Sequence, residues 1–336
     1  MILTIEQMKD IKMKKHLSRV ITDQSVTTYI GHANNISYSL YTLLPESTSW
    51  IYYNPNDCSD FTERYTILSG ELEVERNGEN IVLYPGDVID TTKNDAIFTC
   101  YTKEGVEILL EMTSSYFEMS FTEREIIQLD AKRIQEVDGY TYHHCARIRD
   151  YSIELWKRLK PKSEGLSILS LGSYFHDIGK LAVPIEILNK LGNLTDDEWK
   201  IIKMHTTIGA EMMRNHEIER LRQAAFIVEE HHERYDGKGY PFGLKGDEIS
   251  LEASIVSVVD AFDAMTTNRV YRGAITIEEA IQEMKNGRGT QFNPIVIDEF
   301  IKMLEEKNNE WQKDVMRVNT SHLIKRSGEN VLSNRA

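Results

Sequence analysis

His144, the pair His176-Asp177, His205, the pair His231-His232 and Asp260 are all side chains that bind metals, and Lys180 stands about one helical turn beyond the first pair. Their spacing is near-regular: 32 residues from His144 to His176, 28 from Asp177 to His205, 26 from His205 to His231 and 28 from His232 to Asp260. Imidazoles mixed with two Asp carboxylates and no thiolate suit iron, manganese or zinc in a reactive site better than a structural zinc knot. The chemistry such a set can do is phosphodiester hydrolysis, because two cations roughly 3.5–4 Å apart clamp both the attacking and the leaving oxygens. Asp177 is assigned as the bridge, with His144, His176 and Asp260 on one cation and His205, His231 and His232 on the other. Lys180 then fits as a phosphate contact that stabilises charge building on the phosphate oxygens.

These residues must be positioned by helices. Each step is about one helical hairpin long, since a mean helix is roughly 11–12 residues and its connections are short. A bundle whose hairpins each turn one ligand set inward would gather them, as bundle-core metal sites do. On a regular helix His176 and Asp177 would point about 100° apart, so both serve one cavity only by taking neighbouring positions, which a bridging carboxylate does. Helix starts are signalled by Thr195-Asp196-Asp197-Glu198 and Thr276-Ile277-Glu278-Glu279, both fitting the capping box. The first is expected to open the helix that carries His205. From Pro294 to Leu304 the residues Ile295, Ile297, Phe300, Ile301 and Leu304 form a helical apolar stripe that reads as core.

The words around the ligands are Tyr140-Thr141-Tyr142-His143-His144, His176-Asp177-Ile178-Gly179-Lys180, Met204-His205, and His231-His232-Glu233-Arg234-Tyr235-Asp236-Gly237-Lys238-Gly239-Tyr240-Pro241. On these motifs the stretch 138–305 resembles the HD-GYP family of cyclic dinucleotide phosphodiesterases, as do Asp260-Ala261-Phe262-Asp263-Ala264-Met265, Arg269-Val270-Tyr271-Arg272 and Gln291-Phe292-Asn293-Pro294. The resemblance implies hydrolysis of cyclic di-GMP to the linear dinucleotide or GMP at a binuclear or trinuclear iron or manganese centre. It also implies Lys180, Arg269 and Arg272 as phosphate and substrate contacts and Gly239-Tyr240-Pro241 as a loop beside the active site. Members with a third metal carry Glu where this chain has Tyr140, so two divalent ions, iron or manganese, are expected. Val270 and Asn293 also depart from the family's Arg-Pro-Tyr and Phe-Asp-Pro, which bears on substrate preference; the alternatives are the same chemistry on cyclic GMP-AMP or another nucleotide, or a catalytically silent module that binds nucleotide or partners. The loop itself is dense in turn formers and is not regular helix. Lys238 and Tyr240 are suited to a phosphate or a guanine, Tyr240 by stacking or through its hydroxyl.

Composition bounds the rest. The 336 residues predict about two domains. A formal charge of −14 argues against binding DNA or RNA polymers or anionic lipid surfaces. There is no apolar run long enough to span a bilayer and no secretory signal at the first residues. Cys58, Cys100 and Cys145 are odd in number and widely spaced, reading as reduced thiols in a cytoplasmic protein; Cys145 reads as a buried apolar group.

Residues 20–113 have a different texture. Glu71-Leu72-Glu73-Val74-Glu75 alternates, Asn77-Gly78 is a hairpin turn signal before Asn80-Ile81-Val82-Leu83-Tyr84, and Val106 to Glu111 reads as a further strand. Glu63, seven residues before Gly70, and Pro85-Gly86-Asp87 resemble the cupin family's small β-barrel. The barrel's metal-binding histidines are missing: Asn56-Asp57-Cys58-Ser59 and Asp95 stand in their places. The expectation is therefore an α+β chain of two domains: a cupin-like β-barrel over 1–113 with a sensory or dimerising role, a connecting helix over 114–138, an all-α HD-GYP bundle over 139–305 and a polar tail over 306–336. A homodimer would form through the barrel or the connecting helix.

Overall fold

A computed structural model describes residues 12–13, 19–21, 24–52, 62–76, 79–91, 97–115, 117, 130, 132–134, 142–160, 162, 164–190, 192–267 and 273–306. The chain divides into two compact units, Met1–Asp130 with Pro161–Ser167, and Ala131–Lys160 with Ile168–Ala336.

The first unit is antiparallel β-sheet. Its strands are β1 (Lys12–Met13), β2 (Arg19–Ile21), β3 (Ser25–Ala33), β4 (Ile36–Leu43), β5 (Ser47–Tyr52), β6 (Glu63–Gly70), β7 (Leu72–Arg76), β8 (Glu79–Leu83), β9 (Val88–Asp90), β10 (Ile97–Thr102) and β11 (Val106–Thr113). They hydrogen-bond into a seven-stranded sheet ordered β1-β3-β4-β11-β6-β9, with β2 beside β3, and a four-stranded sheet ordered β5-β10-β7-β8. The described strands thus make two facing sheets and not one closed hydrogen-bonded ring. Alternation puts Leu72 and Val74 inside with Glu73 outside, and the inner residues of both sheets, among them Ile51, Val74 and Cys100 from one and Ile67, Ile108 and Leu110 from the other, share one core. β7 and β8 pair from Arg76 opposite Glu79, so the predicted hairpin forms, while Asn77-Gly78 lies outside the described residues. So do Asn56-Asp57-Cys58-Ser59 and Asp95. Glu63 is buried, and its carboxylate accepts from Tyr65 Oη and Thr91 Oγ1, both at 2.8 Å. Most of the expected connecting segment and the tail beyond Glu306 are likewise outside the described residues.

The second unit is helical. Its helices are α1 (Tyr142–Leu159), α2 (Leu166–Tyr174), α3 (Ile185–Leu188), α4 (Asp196–Lys203), α5 (His205–Arg214), α6 (Glu219–Glu230), α7 (Leu251–Thr266), α8 (Ile277–Asn286) and α9 (Pro294–Glu306), with a 3-10 turn over Ile178–Ala182. α1 packs on α7, α5 on α6, and α9 covers α1 and α7. Both capping boxes are present, with Thr195 and Glu198 starting α4 and Thr276 and Glu279 starting α8. The α4 helix does not carry His205, because it ends at Lys203 and α5 begins at His205, with Met204 between them. In α9 the buried stripe is Val296, Ile297, Phe300, Ile301, Met303 and Leu304. Ile295 is the departure: one position off that stripe, it faces outward and is 70% exposed. Cys145 and Cys100 are buried and in no disulfide. Among the described residues no helix is long and apolar enough to cross a membrane.

Candidate metal centre

Five elements deliver the ligand candidates: His144 from the start of α1, Asp260 from α7, His205 from the first position of α5, His231 and His232 from just beyond α6, and His176-Asp177 from the turn joining α2 to the 3-10 turn. The pair is therefore not on a regular helix. Release from helical phase lets both neighbours face one cavity, which the 100° offset of successive helix positions would oppose.

Their donor atoms gather in two groups, Asp177 with His205, His231 and His232, and His144 with His176 and Asp260; within each group they lie within 4.8 Å of one another. Asp177 connects the groups. Its Oδ1 is 3.3 Å from His205 Nε2 and 4.0 Å from His231 Nε2, while its Oδ2 is 3.2 Å from His176 Nε2. Asp260 Oδ1 stands 3.8 Å from His144 Nε2 and 3.9 Å from His176 Nε2.

The far nitrogens explain why these Nε2 atoms point inward. Nδ1 of His176, His205 and His231 lies 2.8, 2.7 and 2.8 Å from the carbonyl oxygens of Ser173, Ile202 and Val228, each three residues earlier in its own chain segment. His144 Nδ1 is instead 2.7 Å from the buried Asp263 Oδ2. Arg147 donates to both oxygens of that carboxylate, at 2.5 and 3.0 Å. Such outer partners fix the tautomer and raise ligand basicity. Burial opposes the Asp263 anion, but His144 and Arg147 outweigh it and hold the carboxyl below the usual range. Asp263 was not singled out by sequence reasoning. Its signal was available, since Asp260 and Asp263 are three apart and so share a helix face.

Charge in the cavity is set by burial and by Asp177. Burial pushes His205, His231 and His232 down, the last to about 4, so these imidazoles stay neutral and keep the lone pairs that a cation needs. Burial also works against protonated His176, yet the Asp177 carboxylate beside it and Asp260 push it up to about 9. Asp177 is held well below its ordinary value: Lys180, at 2.7 Å from Oδ2, and His176 overcome its burial. Buried His176 Nε2 has no hydrogen bond of good geometry. An inward-facing nitrogen of that kind, among neutral imidazoles and two carboxylates, fits divalent cations.

The loop after His232 is held down by two devices. Buried Glu233 accepts from the backbone N–H groups of Phe242 and Gly243, at 2.6 and 3.1 Å, through one oxygen and from that of Leu244, at 3.0 Å, through the other. The carbonyls of Thr290 and Gln291 receive the amides of Asp236 and Tyr235, which gives the Gln291-Phe292-Asn293-Pro294 stretch a scaffolding role the sequence did not disclose. Gly239 is required, because a Cβ there would overlap Arg234 N and Glu233 Cα. The loop so fixed carries the Tyr240 ring 4.9 Å from His232 and 6.4 Å from His205. Burial, with Asp177, raises its phenol above the ordinary value. Lys238 is exposed on the same loop. Arg269 and Arg272 lie outside the described residues.

The HD domain family matches residues 127–296. The cyclic di-GMP phosphodiesterase response regulator RpfG of Xanthomonas campestris pv. campestris is 36% identical over 191 residues, covering 57% of this chain and 50% of that protein. A cyclic di-GMP phosphodiesterase of Thermotoga maritima is 34% identical over 211 residues, 61% of this chain and 56% of its own length. The 3'3'-cGAMP-specific phosphodiesterase 2 of Vibrio cholerae is 26% identical over 232 residues, 69% of this chain and 44% of its own. The chain thus spans about half the length of the curated relatives it matches. Among solved structures, a cyclic GMP-AMP specific phosphodiesterase of V. cholerae aligns with a TM-score of 0.44 at 19% identity, covering 57% of this chain and 52% of that one. An RmlC-like cupin from Shewanella frigidimarina aligns with a TM-score of 0.26 at 10% identity, covering 31% and 89%.

Proposed function

This chain belongs to the HD domain family, in its HD-GYP group, and from that premise we propose that it hydrolyses one phosphodiester of a cyclic dinucleotide, cyclic di-GMP foremost. The observation that carries this reading is the Asp177 carboxylate, which presents one oxygen to His205 and the other to His176 and so joins two ligand groups.

In this reading His144, His176 and Asp260 would hold one divalent cation and His205, His231 and His232 a second, with Asp177 placed to serve both groups. Two such ions, iron or manganese, would supply a lowered pKa for water and a positive field for a phosphate. The chain's own part is geometric. Backbone carbonyls and Asp263 lock the imidazoles with Nε2 inward, so no ligand reorganises when substrate arrives. Lys180 is close enough to exchange part of its contact with Asp177 for a phosphate oxygen, as a compact donor on a flexible stem can. Tyr240, pinned beside His232, flanks the site as a hydroxyl or ring contact. Lys238, Arg269 and Arg272 are assigned to substrate binding, where they would offset the chain's overall negative charge. The N-terminal β unit is assigned a regulatory or dimerising role.

A second reading keeps the site and exchanges the substrate for cyclic GMP-AMP, and the V. cholerae relative of that specificity favours it. Incubating metal-loaded protein with cyclic di-GMP and with cyclic GMP-AMP, then separating the products by chromatography, decides between them. Asp177→Ala, checked as folded by circular dichroism, is expected to abolish turnover of either. Full turnover by that variant would overturn the assignment of the site.

A further inference from the structure

Lys203 is a cation that neither the ligand set nor the motifs absorb. It closes α4, and Met204 alone separates it from His205, whose ring is tied back to Ile202 O at 2.7 Å. The backbone that bears Lys203 is therefore fixed relative to one ligand group. Its Nζ lies over the Tyr240 ring, 5.2 Å from the centroid, and that ring in turn is 4.9 Å from His232. An ammonium thus stands one aromatic ring away from the candidate metal centre. Neighbouring lysines are neutralised: Lys200 pairs with Asp197, Lys190 with Glu198 and Lys180 with Asp177. Lys203 is exposed, and among the described residues it has no carboxylate partner.

We propose that Lys203 is a substrate-binding residue that takes the second, unreacting phosphodiester of the cyclic dinucleotide, with the Tyr240 ring as the platform that holds its ammonium in place beforehand. This rests on the phosphodiesterase reading above and deepens it. A cyclic dinucleotide carries two phosphodiester anions held apart by two riboses, and only one can lie on the ligand groups at a time. The other brings a full negative charge to the rim of a chain whose net charge is −14, so it needs a cation with no prior partner. A cation–π contact at an exposed site is weak, and a charge-assisted hydrogen bond to phosphate is stronger, so the exchange is favourable. A lysine at a helix end also complements the helix dipole; that role is indifferent to substrate, which separates the two explanations.

The test compares metal-loaded wild type, Lys203→Met and Lys203→Arg on cyclic di-GMP and on bis(p-nitrophenyl) phosphate, which has a single phosphodiester. Lys203→Met should raise KM for cyclic di-GMP about tenfold and lower the ratio of kcat/KM for the two substrates to match, while Lys203→Arg recovers most of the loss. An equal loss on both substrates, or an unchanged ratio, overturns the role of Lys203 and leaves the phosphodiesterase reading standing. Wild type that cleaves the single diester and leaves the cyclic dinucleotide intact overturns both.

Discussion

Asp263 bears on the candidate metal centre through His144 and stands in neither ligand group itself. It holds His144 Nδ1 at 2.7 Å and is itself held by two bonds from Arg147. Asp263→Asn keeps the shape but removes the buried charge that orients the imidazole and raises its basicity. Loss of such an outer partner typically costs about 10–100-fold in metal affinity, so this variant should bind manganese that much more weakly in a competition titration. Unchanged affinity would show that the carboxylate serves packing alone. The candidate ligands were legible as residues, because seven side chains of metal-binding type at nearly constant spacing make an improbable surface pattern, and the structure gathers them in two groups. Asp263 was passed over, because its one signal, a place three residues from Asp260 on the same helix face, is shared by many helix aspartates that hold nothing.

At the scale of elements, the site depends on how closely the 3-10 turn approaches α5. A Cβ on Gly179 would overlap His205 O and Gly209 N, so the turn that follows Asp177 lies backbone to backbone against the helix that starts with His205. That contact sets the separation of Asp177 from His205. Gly179→Ala should therefore cost stability, on the order of 1–3 kcal/mol or more for overpacking, and weaken metal binding together with it. A variant with wild-type melting temperature and metal content would remove the contact from the account. Capping boxes and the α9 stripe were readable here because both are local rules. The break at Met204, which gives His205 the first position of its own helix, was not. No proline or glycine marks it, and Met204 itself keeps right-handed helical backbone angles (φ −66°, ψ −14°).

For the whole molecule, a site assembled from five elements ties metal occupancy to folding of the helical unit. A ligand that binds only the folded state adds about 2.7 kcal/mol at a free concentration 100 times its Kd. Chelation should thus lower the melting temperature of the helical unit, and restored manganese should raise it in a concentration-dependent way; calorimetry showing no shift would mean that the ligand groups do not bind the ion. Local sequence determined much of this protein: an alternating, hairpin-rich N-terminal stretch became antiparallel sheet, and capped or apolar-striped segments between the ligand motifs became helices. Those features need only neighbouring residues and are written in period and turn chemistry. Tertiary structure alone decided that the N-terminal strands split into two facing sheets, that His176 and Asp177 leave helical phase to face one cavity, that Asp263 and Glu233 hold a candidate ligand and a loop, and that Lys203 ends beside Tyr240. Each of these joins residues far apart in the chain or depends on backbone approach at a few ångströms, distances that side-chain type and spacing do not encode.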